Sequence, residues 1–116
     1  MNPNTIVALI SNYPYAIGEL EKKVPAILLS ASGSQELGHG IEDVLTGKAA
    51  AAGRLNMTWY RSDEDLPDMN DYDIIQGKRT YQYFDREVLY PFGYGLTYAH
   101  FPTKKCRSKK NAAVSK

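Results

Sequence analysis

A chain of 116 residues allows one compact domain and argues against two complete ones. It is 43% hydrophobic and 23% charged, with no apolar run of about 18 residues to span a bilayer and no leader pattern at Met1. This composition excludes a membrane protein or a disulfide scaffold and leaves the cytoplasm as the default compartment. Cys106 is the single cysteine, and with two histidines it is too little for a zinc site of recognisable spacing; no metal or cofactor is expected.

The net charge of +1 is the sum of two unlike parts. All 13 acids lie between Glu19 and Glu87, so residues 1–102 hold 8 bases against those 13 acids, a charge of −5. From Thr103 onward there are six bases (Lys104, Lys105, Arg107, Lys109, Lys110 and Lys116) and no acid. Residues 103–116 therefore read as a disordered basic tail on a domain of residues 1–102. Without interleaved aromatic rings, the tail gives no case for nucleic-acid binding.

In chain order, Thr5 to Ser11 is an apolar, β-branched run that fits a strand buried on both faces of a parallel sheet. Tyr15 to Lys23 carries helix formers, and Val24 to Ser30 is a second apolar run, so strand, short helix and strand form a βαβ crossover. Leu37, Ile41, Val44 and Leu45 recur at i, i+4, i+7 and i+8, which is one face of a helix. Ser34 fits its N-cap, Glu36 its first turn and Gly47 its C-terminal stop. The loops after both strands would lie at the carboxyl end of the sheet, where open α/β sheets place ligands. Leu55 to Tyr60 reads as a third strand, followed by an acidic loop from Arg61 to Asp73. Eleven of the 13 aromatic residues fall between Trp59 and Phe101 among glycines and prolines, which favours extended structure and ordered loops.

The acidic loop (Asp63, Glu64, Asp65, Asp68, Asp71, Asp73) is a place to seek paired-carboxylate chemistry, but a solvated loop cannot keep one carboxyl protonated. Its spacing is not that of an EF-hand. His39 sits one position off the apolar stripe and His100 ends an aromatic run; packing or surface roles suit both better than catalysis. Ser32 or Ser34 with His39 and Asp43 assembles a triad on paper, yet no glycine-flanked nucleophile turn surrounds either serine. Gly33, Gly38 and Gly40 do not have dinucleotide-loop spacing. The tyrosine-rich third can either stack on sugar faces or pack a second layer on the sheet, and packing is preferred.

Several segments together resemble a known family. Asn4-Thr-Ile-Val-Ala-Leu-Ile-Ser-Asn-Tyr-Pro-Tyr15, Val24-Pro-Ala-Ile-Leu28, Gly33-Ser-Gln-Glu-Leu-Gly38, Ile41-Glu-Asp-Val-Leu45 and Gly53-Arg-Leu55 resemble, in order, the later part of the second domain of family 3 glycoside hydrolases. Arg79-Thr-Tyr-Gln-Tyr-Phe84 and Leu89-Tyr-Pro-Phe-Gly-Tyr-Gly-Leu-Thr-Tyr98 look like that family's most specific signature, and Leu66 to Asp73 is similar to its β-xylosidase-like and β-glucosidase-like members. The resemblance covers about residues 3 to 101. It departs at Asn56, where the family usually has proline, at Lys48 to Ala52, and in the tail, which does not look like the fibronectin type III-like strands of larger members.

The resemblance implies an α/β fold: a partial parallel sheet with flanking helices, the later part of an α/β sandwich domain, followed by an aromatic-rich extended segment. It implies a retaining exo-β-glycosidase of β-glucosidase or β-xylosidase type, acting on β-linked gluco- or xylo-saccharides, with its site between that domain and a barrel. A barrel needs about 250 residues. The resemblance puts the nucleophilic aspartate on that barrel and the acid/base glutamate in the sandwich domain upstream of the strand matching Thr5 to Ser11, so both are expected outside this chain, which reads as a C-terminal portion lining the sugar site through Tyr13, Ser34 and Gln35. Glu36 is the one residue to consider as an acid. Its partner would be a barrel domain in cis or trans, or a second copy paired through an exposed strand edge. The alternative is a non-catalytic carbohydrate-binding or assembly module using the tyrosine- and tryptophan-rich third.

Overall fold

The computed structural model describes residues 2–100 and 102. The basic tail expected at 103–116 lies outside the described residues.

Two strands, β1 (Ile6–Ile10) and β2 (Ala26–Ser30), pair in parallel with Ile6 opposite Ala26 and Ile10 opposite Ser30. Branched and long apolar side chains favour this pleated surface. The crossover contains one helical turn, α1 (Gly18–Glu21), and β2 leads into α2 (Leu37–Leu45). Among the described residues the sheet has these two strands only, with helices beside them, which is the expected α/β arrangement in its smallest form. No helix among those residues is long and apolar enough to cross a membrane.

The expectation of a strand buried on both faces is corrected by β1. Its exposure alternates: Val7 and Leu9 are half-buried while Ile6, Ala8 and Ile10 are exposed. With a single neighbouring strand and no layer over that face among the described residues, alternate residues meet solvent. The α2 start is also corrected. Glu36, and not Ser34, occupies the N-cap position, and no side chain caps the helix. Its end is as expected, with Gly47 at φ 76°, a left-handed conformation that glycine adopts without a Cβ penalty.

Leu55 to Tyr60 is not a continuous third strand. Leu55 N–H donates to Tyr94 O (2.9 Å), Gly93 N–H to Leu55 O (2.8 Å) and Trp59 N–H to Tyr90 O (2.9 Å), but only the Trp59–Tyr90 pair forms an antiparallel bridge. Pro91 has no N–H to offer, and Gly93 turns at φ 81°, so the ladder is interrupted between its two ends.

The burial centre is in this aromatic part. Among the described residues only Trp59 and Thr58 are buried, 3% and 7% exposed. The rings pack on one another: Trp59 meets Tyr90 edge to face at 6.4 Å, Tyr90 stacks on Tyr94 at 5.0 Å, Tyr60 meets Phe84 at 4.8 Å and Tyr81 stacks on Phe92 at 4.4 Å. A short helix, α3 (Thr80–Tyr83), interrupts the extended course expected there. Gly95 is required by close approach, since a Cβ would come within 2.7 Å of Gly53 O.

Candidate functional site

Because β1 and β2 are parallel and in register, their carboxyl ends lie side by side. Ser11 N–H donates to Ser30 O (2.9 Å), carrying the ladder one residue past the strands. The two following loops are then tied by a reciprocal pair: Asn12 Nδ2 donates to Ser32 Oγ (3.0 Å), and Ser32 N–H donates to Asn12 Oδ1 (2.9 Å). Asn12 thus uses both ends of its amide on the neighbouring loop.

Tyr13 follows this clamp. Its N–H donates to Ser11 Oγ (3.0 Å) and the same hydroxyl donates back to Tyr13 O (2.9 Å), a tight turn that leaves the phenol ring 74% exposed. Ser34 accepts Leu37 N–H at its carbonyl (3.2 Å), in the turn that leads into α2. Ser34, Gln35 and Glu36 are exposed, and the Ser34 and Gln35 side chains have no hydrogen-bond partner among the described residues. Tyr13, Ser34 and Gln35 therefore occupy two loops joined at their bases, with free polar groups and one free ring. No hydrogen bond joins Tyr13 directly to the other two. Asn12 and Ser32, which set the spacing of the loops, open the two strand-end segments, but the bond between them is not expected from sequence; an asparagine directly after an apolar strand is its only local signal.

Glu36 points its carboxylate at His39 Nδ1 (2.6 Å), with 80% of its own side chain exposed. A general acid in glycoside hydrolysis is kept protonated by a dry pocket, and this position supplies none. Glu36 and His39 form a surface pair spaced i, i+3 on the helix entrance.

The acidic loop is built differently from a solvated coil. Asp63–Asp65 forms a 3-10 turn in which Ser62 Oγ accepts Glu64 N–H (3.2 Å) and Asp65 Oδ2 accepts Ser62 N–H (3.2 Å). Asp68 accepts Asn70 N–H (2.8 Å), Asp71 accepts Asp73 N–H (2.9 Å), and Asp73 accepts both Ile75 N–H (3.0 Å) and Gln76 N–H (2.9 Å). These acids hold turns. No group of three or more His, Cys, Asp or Glu among the described residues is arranged to hold a metal ion.

Two clefts open beside these turns. The larger, about 550 Å³, is an open depression of mixed lining, with Leu66 and Pro67 beside the charged Asp65, Asp71, Lys78, Asp85 and Arg86. Arg86 bonds the Asp65 carboxylate (3.0 Å) and carbonyl (2.7 Å) and lies over the Phe84 ring at 5.1 Å. Lys78 bonds Asp85, and this hydrogen bond, followed by the pull of the ammonium charge, holds the Asp85 carboxyl below the ordinary aspartate range. Asp85 is therefore not held as a protonated acid, and the Asp65 carboxylate is taken up by Arg86. The smaller cleft, about 310 Å³, is largely apolar, with Tyr81, Phe84, Val88 and Phe92 in its walls.

Comparison with known proteins fits this architecture. A sequence model described as the Glycosyl hydrolase family 3 C-terminal domain matches residues 1–98. The chain is 49% identical over 67 residues to a xylan 1,4-beta-xylosidase of Xylanibacter ruminicola, an alignment covering 58% of this chain and 7% of that protein. It is 34% identical over 111 residues to a beta-glucosidase of Kluyveromyces marxianus, covering 86% of this chain and 13% of that one. A probable exo-1,4-beta-xylosidase of Aspergillus fumigatus is 45% identical over 85 residues, covering 68% and 11%. The chain thus spans 7% to 13% of the length of these relatives. No solved structure matches it. With nearly all the described residues inside the family match, the chain belongs to the glycosyl hydrolase family 3 C-terminal domain family.

Proposed function

We propose that this chain is the C-terminal part of a retaining exo-β-glycosidase, of β-glucosidase or β-xylosidase type, and that it lines the sugar site without supplying the catalytic carboxylates. The observation carrying this reading is the Asn12–Ser32 clamp, which fixes two loops at the carboxyl end of the parallel pair. The exposed Tyr13 ring would stack on a sugar face, while the Ser34 hydroxyl and Gln35 amide would bond ring hydroxyls. The substrate class is a β-linked gluco- or xylo-saccharide, in keeping with the names of the relatives.

Retention requires two carboxyl groups about 5 to 5.5 Å apart across the glycosidic bond, one of them an acid of raised pKa. Glu36 is exposed beside His39, and Asp65 and Asp85 are paired with cations. Both catalytic groups are therefore assigned to residues outside this chain, the nucleophile to a barrel domain in cis or trans. The open side of β1, with Ile6 and Ile10 each 54% exposed, is the surface that such a partner, or a second copy, would cover. Residues 1–102 act as the family segment and 103–116 as a separate basic tail.

The ring pairs Tyr81–Phe92 and Tyr90–Tyr94 each cover one face of either ring, which supports packing as the role of these four rings. Backbone-amide NMR of the chain titrated with millimolar xylobiose or cellobiose tests the reading. Shifts at Tyr13, Ser34 and Gln35 are expected; their absence with both sugars would refute it.

A further inference from the structure

Between Leu55, whose N–H donates to Tyr94 O (2.9 Å), and Trp59, whose N–H donates to Tyr90 O (2.9 Å), the chain bends at Asn56 and Met57. Asn56 is exposed at this bend, and its side-chain amide has no hydrogen-bond partner among the described residues. Met57 is half-buried and Thr58 is 7% exposed, with its Oγ1 buried and also without a partner among those residues. A free amide thus faces solvent on a short segment held at both ends.

Asn56-Met-Thr58 has the spacing of an N-glycan acceptor: asparagine, any residue except proline, then a hydroxyl residue. In an extended chain, side chains two positions apart lie on one side, so one enzyme surface reads the amide and the hydroxyl together. Of the six asparagines Asn56 alone has this spacing; two positions after Asn2, Asn4, Asn12, Asn70 and Asn111 stand Asn4, Ile6, Pro14, Tyr72 and Ala113. Asn56 is also a departure from the family resemblance, so the motif belongs to this chain and not to the shared pattern.

We propose that Asn56 is an N-glycosylation site, modified when the chain passes through a lumen that holds an oligosaccharyltransferase. Asn56 Nδ2 attacks the anomeric carbon of a lipid-linked oligosaccharyl pyrophosphate. A C–N bond forms, the bond from that carbon to the pyrophosphate oxygen breaks, the lipid pyrophosphate leaves, and one amide proton passes to a base of the transferase. Thr58 is buried once the chain has folded, so transfer precedes folding; the outward Asn56 then carries the glycan in solvent without opening the core. The chain spans 7% to 13% of the length of its relatives, so its start at Met1 does not set the route of a whole polypeptide.

The test is the full chain behind a cleavable secretory leader, produced in yeast cells and read by intact mass and by peptide-N-glycosidase digestion without denaturant. The expected result is a leader-free chain carrying a glycan, which the digestion releases from the folded protein with conversion of Asn56 to aspartate. Asn56→Gln and Thr58→Val should abolish the added mass, and Thr58→Ser should keep it. Thr58→Val removes the hydroxyl at nearly constant shape and breaks no hydrogen bond among the described residues. Because transfer precedes folding, loss of the glycan in these variants reports recognition and not stability. A leader-free chain without a glycan, a glycan that persists in Asn56→Gln, or one released only after denaturation would overturn the proposal.

Discussion

Trp59 and Tyr90 share the one antiparallel bridge among the described residues, and their rings also meet edge to face at 6.4 Å. Backbone and side chain act together here: Trp59 N–H donates to Tyr90 O (2.9 Å), Trp59 O accepts Leu89 N–H (2.9 Å), and the indole is 3% exposed. This pair anchors the segment that carries the family signature to the rest of the chain. Trp59→Ala should cost about 3–5 kcal/mol, the usual loss for removing a buried tryptophan, while Trp59→Phe should keep much of the burial. Urea unfolding of both variants against the parent chain measures the difference.

The strand-end clamp predicts a local effect. Asn12→Ala removes both bonds to Ser32, each worth about 0.5–1.5 kcal/mol at an ordinary site and less where exposed. Hydrogen exchange at the Ser32 amide should quicken markedly, with little change at Ile10 or Ser30 inside the parallel ladder. Equal acceleration throughout β1 and β2 would mean that the clamp supports the sheet and not the loops.

Thr80 is a β-branched residue at φ 66°, in the left-handed region, at the start of α3. That conformation costs a non-glycine residue about 1–2 kcal/mol, whereas glycine adds only about 0.5–1 kcal/mol in lost chain entropy. Thr80→Gly should therefore stabilise the chain slightly, by up to about 1 kcal/mol. Gly95→Ala should do the reverse by about 1–3 kcal/mol, because its Cβ would press on Gly53 O at 2.7 Å. Thermal unfolding of the two variants gives opposite signs.

Two groups give opposite pH responses. Asp85 titrates below the ordinary aspartate value, chiefly through its hydrogen bond from Lys78, so its contribution is present above that ordinary value and is lost as pH falls through the depressed one. Lys78→Ala should return its carboxyl titration, followed by carbon-13 NMR, toward the ordinary range. Burial, with help from Glu21 and Tyr94, raises the Tyr90 phenol. The phenol stays neutral past the ordinary tyrosine value, so its contribution is intact below that value and stability is lost as pH rises from there through the raised one. Tyr90→Phe should remove the last step of the alkaline absorbance titration.

The elements with strong period were readable from sequence. The apolar runs became β1 and β2, and the Leu37, Ile41, Val44 stripe became α2 with Gly47 at its end. Leu55 to Tyr60 had strand composition, but its pairing depends on Pro91 and Gly93, more than 30 residues away, and they break the ladder. Ser62 and Asp65 carried a capping signal spaced i, i+3, and Asp68, Asp71 and Asp73 carried turn signals, all hidden by the acidity of the loop. In the candidate site, Tyr13, Ser34 and Gln35 came from strand-end position and family resemblance. The Asn12–Ser32 clamp joins residues 20 apart through side-chain geometry that no periodicity encodes.

The central claim is that the chain lines a sugar site whose catalytic carboxylates lie elsewhere. Its most direct test is turnover of aryl β-xylosides and aryl β-glucosides by the pure chain. No hydrolysis above the uncatalysed rate is expected. Turnover by the chain that Glu36→Gln abolishes would contradict it and make Glu36 the acid.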